Sequence, residues 1–525
     1  MQHAHDDHHR GARRRFLRQL GLLSAGTALV PGGALSALGS TGLAEALLDG
    51  PTDRVLVLIR LKGGNDGLNT VVPVYDYGRY AAARPTLGYA QRDLLALTPE
   101  LAVGRDLAAA HGLWQRGAMR VVNGVGYAAQ SLSHFRGTDI VASGSDAGEV
   151  LTSGWLGRHL DGCFPDYLAA LPAAPPAIQI GGAGSLTFDN DERVSLGVSV
   201  ASVEDLAQLA ERGELYDTAA LPDCAYGAQL GYLRAVANAA FGFAGVIREA
   251  YERSRNQVAY PAGQLAAQLA LVARLVKGGL GTGLYLVTLD GFDTHAGQGA
   301  DHPALLRQLG QSVAAFFDDL AAADQDGRVL ASTFSEFGRR IEENGSRGTD
   351  HGTAAPQLLF GPALGGNGAV GGLPDLDDPD GAGNLRHTTD YRSVYATLLE
   401  RWLCVDPARV DEVLGGAYPR LDLGIGCATV GAVTPPPPRP GRLAVELVSA
   451  GLGQWAVRLG EPRGARYSVE VLDASGRVLS ARSIALPAGA HEVPLPLAGS
   501  PSGVYAYRVR DGRGRVGAGL VPALR

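Results

Sequence analysis

The sequence predicts an α/β fold, a mainly parallel sheet sandwiched by helices, with an antiparallel β-sandwich after it. Three observations predict it. Runs of apolar and β-branched residues alternate with helical patterns between residues 54 and 334, the order that builds a parallel sheet covered on both faces. Three of these runs end abruptly in polar chemistry. Leu284–His295 (LYLVTLDGFDTH) ends in Asp290, Asp293 and His295, residues 54–66 end in Asn65 and Asp66, and residues 328–336 end in Glu336, with Asp350 and His351 close behind. An α/β sheet presents ligands in this way at its carboxyl edge, and Asp, His and Glu brought together there suggest a metal site. After TPPPPRP (434–440) the pattern switches to alternation of apolar and polar residues, the period of half-buried strands.

At 525 residues the chain is too long for one simple core, and two or three domains are expected. An apolar fraction of 46% with 19% charged residues suits an ordinary soluble protein. A net charge of −7 leaves no footprint for nucleic acid, so no such partner is expected. Cys163, Cys224, Cys404 and Cys427 form no CxxC pair, which excludes a zinc-ribbon pattern. In an oxidising compartment they allow one or two disulfides that the sequence cannot pair; buried free thiols are the alternative.

Residues 13–18, RRRFLR, resemble the twin-arginine export signal. The apolar stretch Leu20–Val30 follows, then Pro31 and small residues around Ala34–Ala44. A basic region, a short apolar region and a small-residue zone make a signal peptide, assigned to 1–44. The apolar stretch is too short to span a bilayer as a helix. Cleavage near Ala37 removes five arginines and two aspartates and leaves a charge of −10. It also removes His3, His5, His8 and His9, so these are not counted as ligands. The expectation is export in the folded state by the twin-arginine translocase, a periplasmic or extracellular location, and no stable membrane anchor afterwards.

The first strand, 54–62, leads into GGNDGLNT (63–70), where three glycines permit a tight turn that aims Asp66 at a site; a plain glycine-rich turn is the bland alternative. Tyr75, Tyr80 and Arg84 follow as loop or pocket-wall residues. A second strand is read at 119–123. GYAAQSLSHFRGTDI (126–140) then places Ser131, Ser133, His134 and Thr138 where a helix opens. A hydroxyl there suits attack on a phosphoryl or sulfuryl centre, because the helix N-terminus favours an anion; residue type alone favours an ordinary N-cap. GWLGRHL (154–160) reads as a helix start and 175–181 as a strand. From about 200 to 280 the pattern is helical and carries no chemistry. Residues 302–323 form an amphipathic helix that leads into the strand at 328–334.

GGNDGLN (63–69), SHF (133–135), GWLGR (154–158), GFDTH (291–295), SEFGRR (335–340) and DHG (350–352), in this order and with the twin-arginine start, resemble a bacterial family of exported proteins of unknown function grouped with the alkaline phosphatase and sulfatase superfamily. The resemblance covers about 10–430 and implies an alkaline-phosphatase-like domain over 50–432 with two divalent metal ions. Residue by residue it implies Asp66, Asp293, His295, Asp350 and His351 as metal ligands, His387 completing the first metal (with Asp390 as its substitute), and Ser133 as nucleophile. The aspartate and histidine are spaced here as DTH, or as D-x4-H from Asp290, where the superfamily has DxxxH. Mixed Asp and His ligation suits zinc or manganese, whereas oxygen-only ligation suits magnesium or calcium. Two cations can hold the attacking and leaving oxygens of an in-line displacement. Arg339 or Arg136 is read as a clamp for a small anionic ester substrate, and Glu336 as the group that orients a ligand histidine; ordinary salt bridges are the alternative for these charges.

Residues 433–440 are a stiff proline-rich linker. In 441–525, RLAVELVS, QWAVRL, RYSVEVLD, VLSARSIAL, HEVPLPL, GVYAYRVRD and VGAGLV alternate apolar and polar, as in an antiparallel β-sandwich. This segment is similar to the immunoglobulin-like modules, of the flagellar-hook-capping type, found on exported bacterial proteins. It holds no titratable cluster, so binding or surface attachment is expected of it. The whole chain reads as an exported metal-dependent hydrolase of phosphate or sulfate esters; the alternative is a non-catalytic exported metal-binding or cell-surface protein.

Overall fold

A computed structural model of the chain describes residues 53–165, 167–168, 171–182, 184–200 and 225–427, and the strands between 445 and 523 with single residues beside them. The export segment, the helical pattern at 202–216, Cys224 and the proline-rich linker lie outside the described residues. The chain divides into two compact units, one running through Cys427 and one from Ala428.

The first unit is built on a nine-stranded sheet. Its strands are β1 (Val55–Lys62), β2 (Met119–Gly126), β3 (Ala177–Ile180), β4 (Gly197–Val200), β5 (Leu284–Asp290), β6 (Val329–Phe334), β7 (Ala355–Phe360), β8 (Gly368–Val370) and β9 (Thr389–Asp390). The order is β8-β2-β7-β6-β1-β5-β3-β4, with β9 also on β2. All pairings are parallel except those of β7, which runs antiparallel to β2 and β6. In β1 the run Val55–Ile59 is wholly buried. Apolar residues continue without alternation there because both faces of a central parallel strand are covered.

The helices that cover it are α1 (Ala108–Gln115), α2 (His134–Ser143), α3 (Trp155–Cys163), α4 (Ala225–Arg253), α5 (Gln264–Lys277), α6 (Gln298–Ala321), α7 (Tyr391–Thr397) and α8 (Pro407–Leu414). Leu269 and Val272 of α5, and Leu309, Val313 and Phe316 of α6, enter the same core as the strands. Their spacing of three and four is the helical stripe visible in the sequence. None of the described helices is long and apolar enough to cross a membrane. Cys404 and Cys427 form a disulfide, and Cys163 is free.

Strands β4, β7, β8 and β9 were not apparent in the sequence. They are two to six residues long, and β7 opens on Ala355-Pro356. Segments this short carry almost no periodic signal.

Among the described residues, the second unit has seven strands in two antiparallel sheets. β10 (Val445–Gly451), β11 (Gln454–Leu459) and β14 (His491–Pro494) form one; β12 (Ala465–Leu472), β13 (Val478–Leu486), β15 (Gly503–Asp511) and β16 (Val516–Ala523) form the other. Val457, Leu459 and Val493 of the first sheet share a core with Tyr467, Val469, Tyr507 and Val509 of the second.

Candidate metal centre

Strand register sets where the site lies. Lys62 pairs with Asp290, and Arg60 with both Thr288 and Phe334, so the chain leaves β1, β5 and β6 at one edge of the sheet. Gly63 follows β1 with φ of +123°, and a Cβ on it would lie 2.3 Å from Asp293 N. Only glycine lets these two loops touch. Gly348 plays the same part beside His295, where a Cβ would meet the backbone carbonyl at 2.2 Å. Helix α2, which follows β2, brings His134 to the same place.

Three imidazoles converge on Asp293. His351 Nε2 and His295 Nε2 each lie 3.1 Å from Asp293 Oδ1, and His134 Nε2 lies 3.3 Å from Oδ2. The Nε2 atoms of His295 and His351 are 2.9 Å apart. Suitable donor atoms of His134, Asp293 and His351 all fall within 4.8 Å of one another. On its other side each ring meets an oxygen. His351 Nδ1 donates to Leu132 O (2.8 Å), His134 Nδ1 faces Glu336 Oε1 (3.3 Å), and His295 Nδ1 faces Asp350 Oδ1 (3.3 Å). A carbonyl or carboxylate oxygen only accepts, so the proton of each neutral ring sits on Nδ1 and the lone pair on Nε2. Three lone pairs then point at one carboxylate, those of His295 and His351 only 2.9 Å apart, a repulsive arrangement that a cation makes attractive. Tetrahedral zinc bonds of about 2.0–2.2 Å to nitrogen and oxygen set neighbouring donors roughly 3.3–3.6 Å apart, close to the 3.1–3.3 Å between the three Nε2 atoms and the Asp293 oxygens. An acceptor behind each ligand histidine is the usual outer partner in metal sites. His134 Nε2 is buried and has no hydrogen-bond partner, as a nitrogen aimed at a cation would be.

The electrostatics agree. Partial burial pushes the Asp293 carboxyl upward, but the hydrogen bond and charge of Arg339 outweigh it and bring the pKa down to about 2. Burial lowers the pKa of His351 against the pull of Asp293, which favours its neutral form. The hydrogen bond from Asn344, with help from His295, lowers the pKa of Asp350. Arg339 is buried and donates to five acceptors: Asp293 Oδ1 (2.7 Å) and the carbonyls of Gly63, Gly64, Phe292 and Thr349. It ties three loops together at the carboxylate they share. Gln298, fully buried, sets their spacing from below. Its Oε1 accepts from Thr294 Oγ1 (3.0 Å) and Thr349 Oγ1 (2.6 Å), residues that flank Asp293, His295 and Asp350 in sequence.

Of the residues singled out in the sequence, Asp293, His295, Asp350 and His351 come together, Glu336 joins them through His134, and Arg339 through Asp293. Ser133 is the exposed N-cap of α2 and its side chain makes no capping bond. It stands between Leu132, which His351 holds, and His134. Asp66 lies elsewhere in the network. Its carboxylate is 1% exposed and takes Arg84 Nη1 (2.5 Å), Arg84 Nη2 (3.1 Å) and Gln298 Nε2. Burial pushes its pKa up, yet the Arg84 charge prevails and the net shift is downward. Asp290 is exposed against Lys62 at 2.5 Å. His387 is exposed at the end of β2, where a Cβ on Gly126 would meet its own Cβ at 2.8 Å. Asp390 caps α7 and holds Arg392. Arg136 is spent on carbonyls of the 146–149 loop. The sequence reading did not assign His134 to the metal. The one signal for it was an imidazole at the first turn of a helix that follows a strand.

His302 is fully buried beside Asn65 Oδ1 (3.0 Å), and burial holds its pKa down at about 4. Between the unfolded value near 6.5 and about 4, the unfolded chain takes up a proton that the folded chain refuses. Stability therefore falls as pH drops through that window, by about 3 kcal/mol in full. Urea unfolding of the wild type and of His302→Gln, at pH 7 and pH 4.5, checks this. The wild type is expected to lose more on acidification, and equal losses would refute the assignment.

No curated protein matches the sequence. Among solved structures, the chain is similar to the lipoteichoic acid synthase LtaP from Listeria monocytogenes (7% identity, 63% of this chain and 75% of that one, TM-score 0.28). It is also similar to a protein in the alkaline phosphatase superfamily from Vibrio parahaemolyticus (9% identity, 91% and 84%, TM-score 0.26). A third is the PsFucS1 sulfatase from Pseudoalteromonas sp. (12% identity, 87% and 85%, TM-score 0.29). Likeness at this level settles no activity. The profile of DUF1501, described as a protein of unknown function, matches residues 142–416. That stretch holds Asp293, His295, Glu336, Arg339, Asp350 and His351 and is more than half of the sequence, so the chain belongs to the DUF1501 family.

Proposed function

We propose that the protein is an exported metal-dependent hydrolase of phosphate or sulfate esters. One observation carries the reading: three histidines, each with Nδ1 committed to an oxygen, turn Nε2 toward a single carboxylate. His134, Asp293, His295 and His351 would hold the ion, and Glu336, Asp350 and the Leu132 carbonyl would hold the rings. The donor set of nitrogen and oxygen suits zinc or manganese. A divalent ion bound there supplies positive charge beside the reacting ester.

The chain's own groups supply the rest. The Ser133 hydroxyl, uncapped and exposed, forms the bond to phosphorus or sulfur as the alcohol leaves, and its proton passes to solvent. Water then cleaves the seryl ester and restores the hydroxyl. The first N–H groups of α2 favour the anion during both steps. Arg339 spends its donors on internal acceptors, so its work is to hold Asp293 rather than to clamp substrate. The Cys404–Cys427 disulfide supports an oxidising compartment and so the export route read from RRRFLR.

Elemental analysis of the purified chain, with a screen of chromogenic phosphate and sulfate esters, tests the proposal. Turnover is expected, falling by orders of magnitude in Ser133→Ala with the metal retained. Bound metal without turnover of any ester would leave only a metal-binding exported protein. Glu336 gives a separate check. Glu336→Leu removes the acceptor behind His134 and is expected to weaken divalent-ion affinity 10–100-fold, with Glu336→Gln losing less. Calorimetric titration measures both, and unchanged affinity in the leucine variant would exclude the orienting role.

A further inference from the structure

We propose that the centre takes one divalent ion, and that the buried guanidinium of Arg84 stands where a second cation would be needed to neutralise Asp66. The inference rests on the metal reading above and departs from the two-ion arrangement that the sequence resemblance implies.

The donor atoms lead to it. The Nε2 atoms of His134, His295 and His351 are all directed to Asp293, which makes one set of ligands. The remaining acids of the edge are already engaged. Asp66 has both oxygens on Arg84 and a third donor in Gln298. Arg84 is equally buried, and its Nε and Nη2 also donate to the carbonyls of Ile341 (2.5 Å) and Arg340 (2.7 Å). A metal at Asp66 would have to displace a guanidinium held by four acceptors, two of them backbone. Glu336 accepts from Gly63 N (3.0 Å), faces His134 and has Arg60 at 3.6 Å. Asp350 accepts from Asn344 (3.1 Å) and faces His295. Both are already engaged in supporting imidazoles, Glu336 through Oε1 and Asp350 through Oδ1.

Charge points the same way. Asp66, Asp293, Glu336 and Asp350 oppose Arg60, Arg84 and Arg339. Four carboxylates and three guanidinium groups leave one unit of negative charge. One divalent ion turns this into one unit of positive charge, which suits a small anionic ester. Two would leave three units of positive charge on a partly buried edge, where uncompensated charge is costly.

The test is a calorimetric zinc titration of the full chain freed of metal with chelator, with elemental analysis after dialysis. One equivalent per chain is expected. Two equivalents would overturn the single-ion inference and leave the metal reading standing, whereas none would overturn both. The double variant Asp66→Asn/Arg84→Met removes both charges of the pair together. It is expected to bind one equivalent with affinity within about threefold of wild type, while a true ligand at Asp66 would show as a lost equivalent.

Discussion

Asp293→Asn is expected to leave the folded protein with almost no bound divalent metal. The asparagine keeps the size of the side chain and can still accept from Arg339, so the loops around Gly63 and Phe292 retain their anchor. What disappears is the negative charge on which His134, His295 and His351 converge. Loss of an outer partner already costs 10–100-fold in metal affinity, and loss of the central ligand is expected to exceed that range. Any ester turnover should fall with it. Circular dichroism establishes that the variant folds, and calorimetry gives the affinity. Binding within tenfold of wild type would mean that Asp293 is not a ligand.

Arg84→Met should cost about 3–5 kcal/mol of folding stability, because it strands the Asp66 carboxylate in a dry interior. Both side chains are 1% exposed, so solvent cannot take over from the lost partner. The double variant Asp66→Asn/Arg84→Met removes the stranded charge and should recover most of the loss. Urea unfolding of the wild type, both single variants and the double variant gives the coupling directly. If the double variant is as unstable as Arg84→Met, the damage lies in packing and the pair is not what holds this region.

The strand ends were legible in the residues. LYLVTLDGFDTH is buried from Leu284 to Val287 and again at Leu289, and breaks into polar residues at the edge of the sheet, and long apolar runs declare themselves by composition alone. The roles of Asp66 and Arg84 were not legible. An aspartate in a glycine-rich turn reads the same whether it meets a metal or an arginine 18 positions on. Only packing decides between them. His134 was missed for a related reason: nothing local says which ring of the chain will face Asp293. Glu336 was expected to orient a ligand histidine and Asp350 to be a ligand itself; in the structure they lie behind His134 and His295 respectively.

Taken alone, the order of apolar runs and turns determined a mainly parallel sheet, the edge where its chemistry gathers, and a β-rich C-terminal unit, because burial period is written locally along the chain. Tertiary structure decided which acid faces the imidazoles and which faces an arginine, and that a third imidazole joins the other two. Those outcomes depend on contacts between residues tens to hundreds of positions apart, such as Asp293 with His134 and Arg84 with Ile341, and no local pattern encodes such distances.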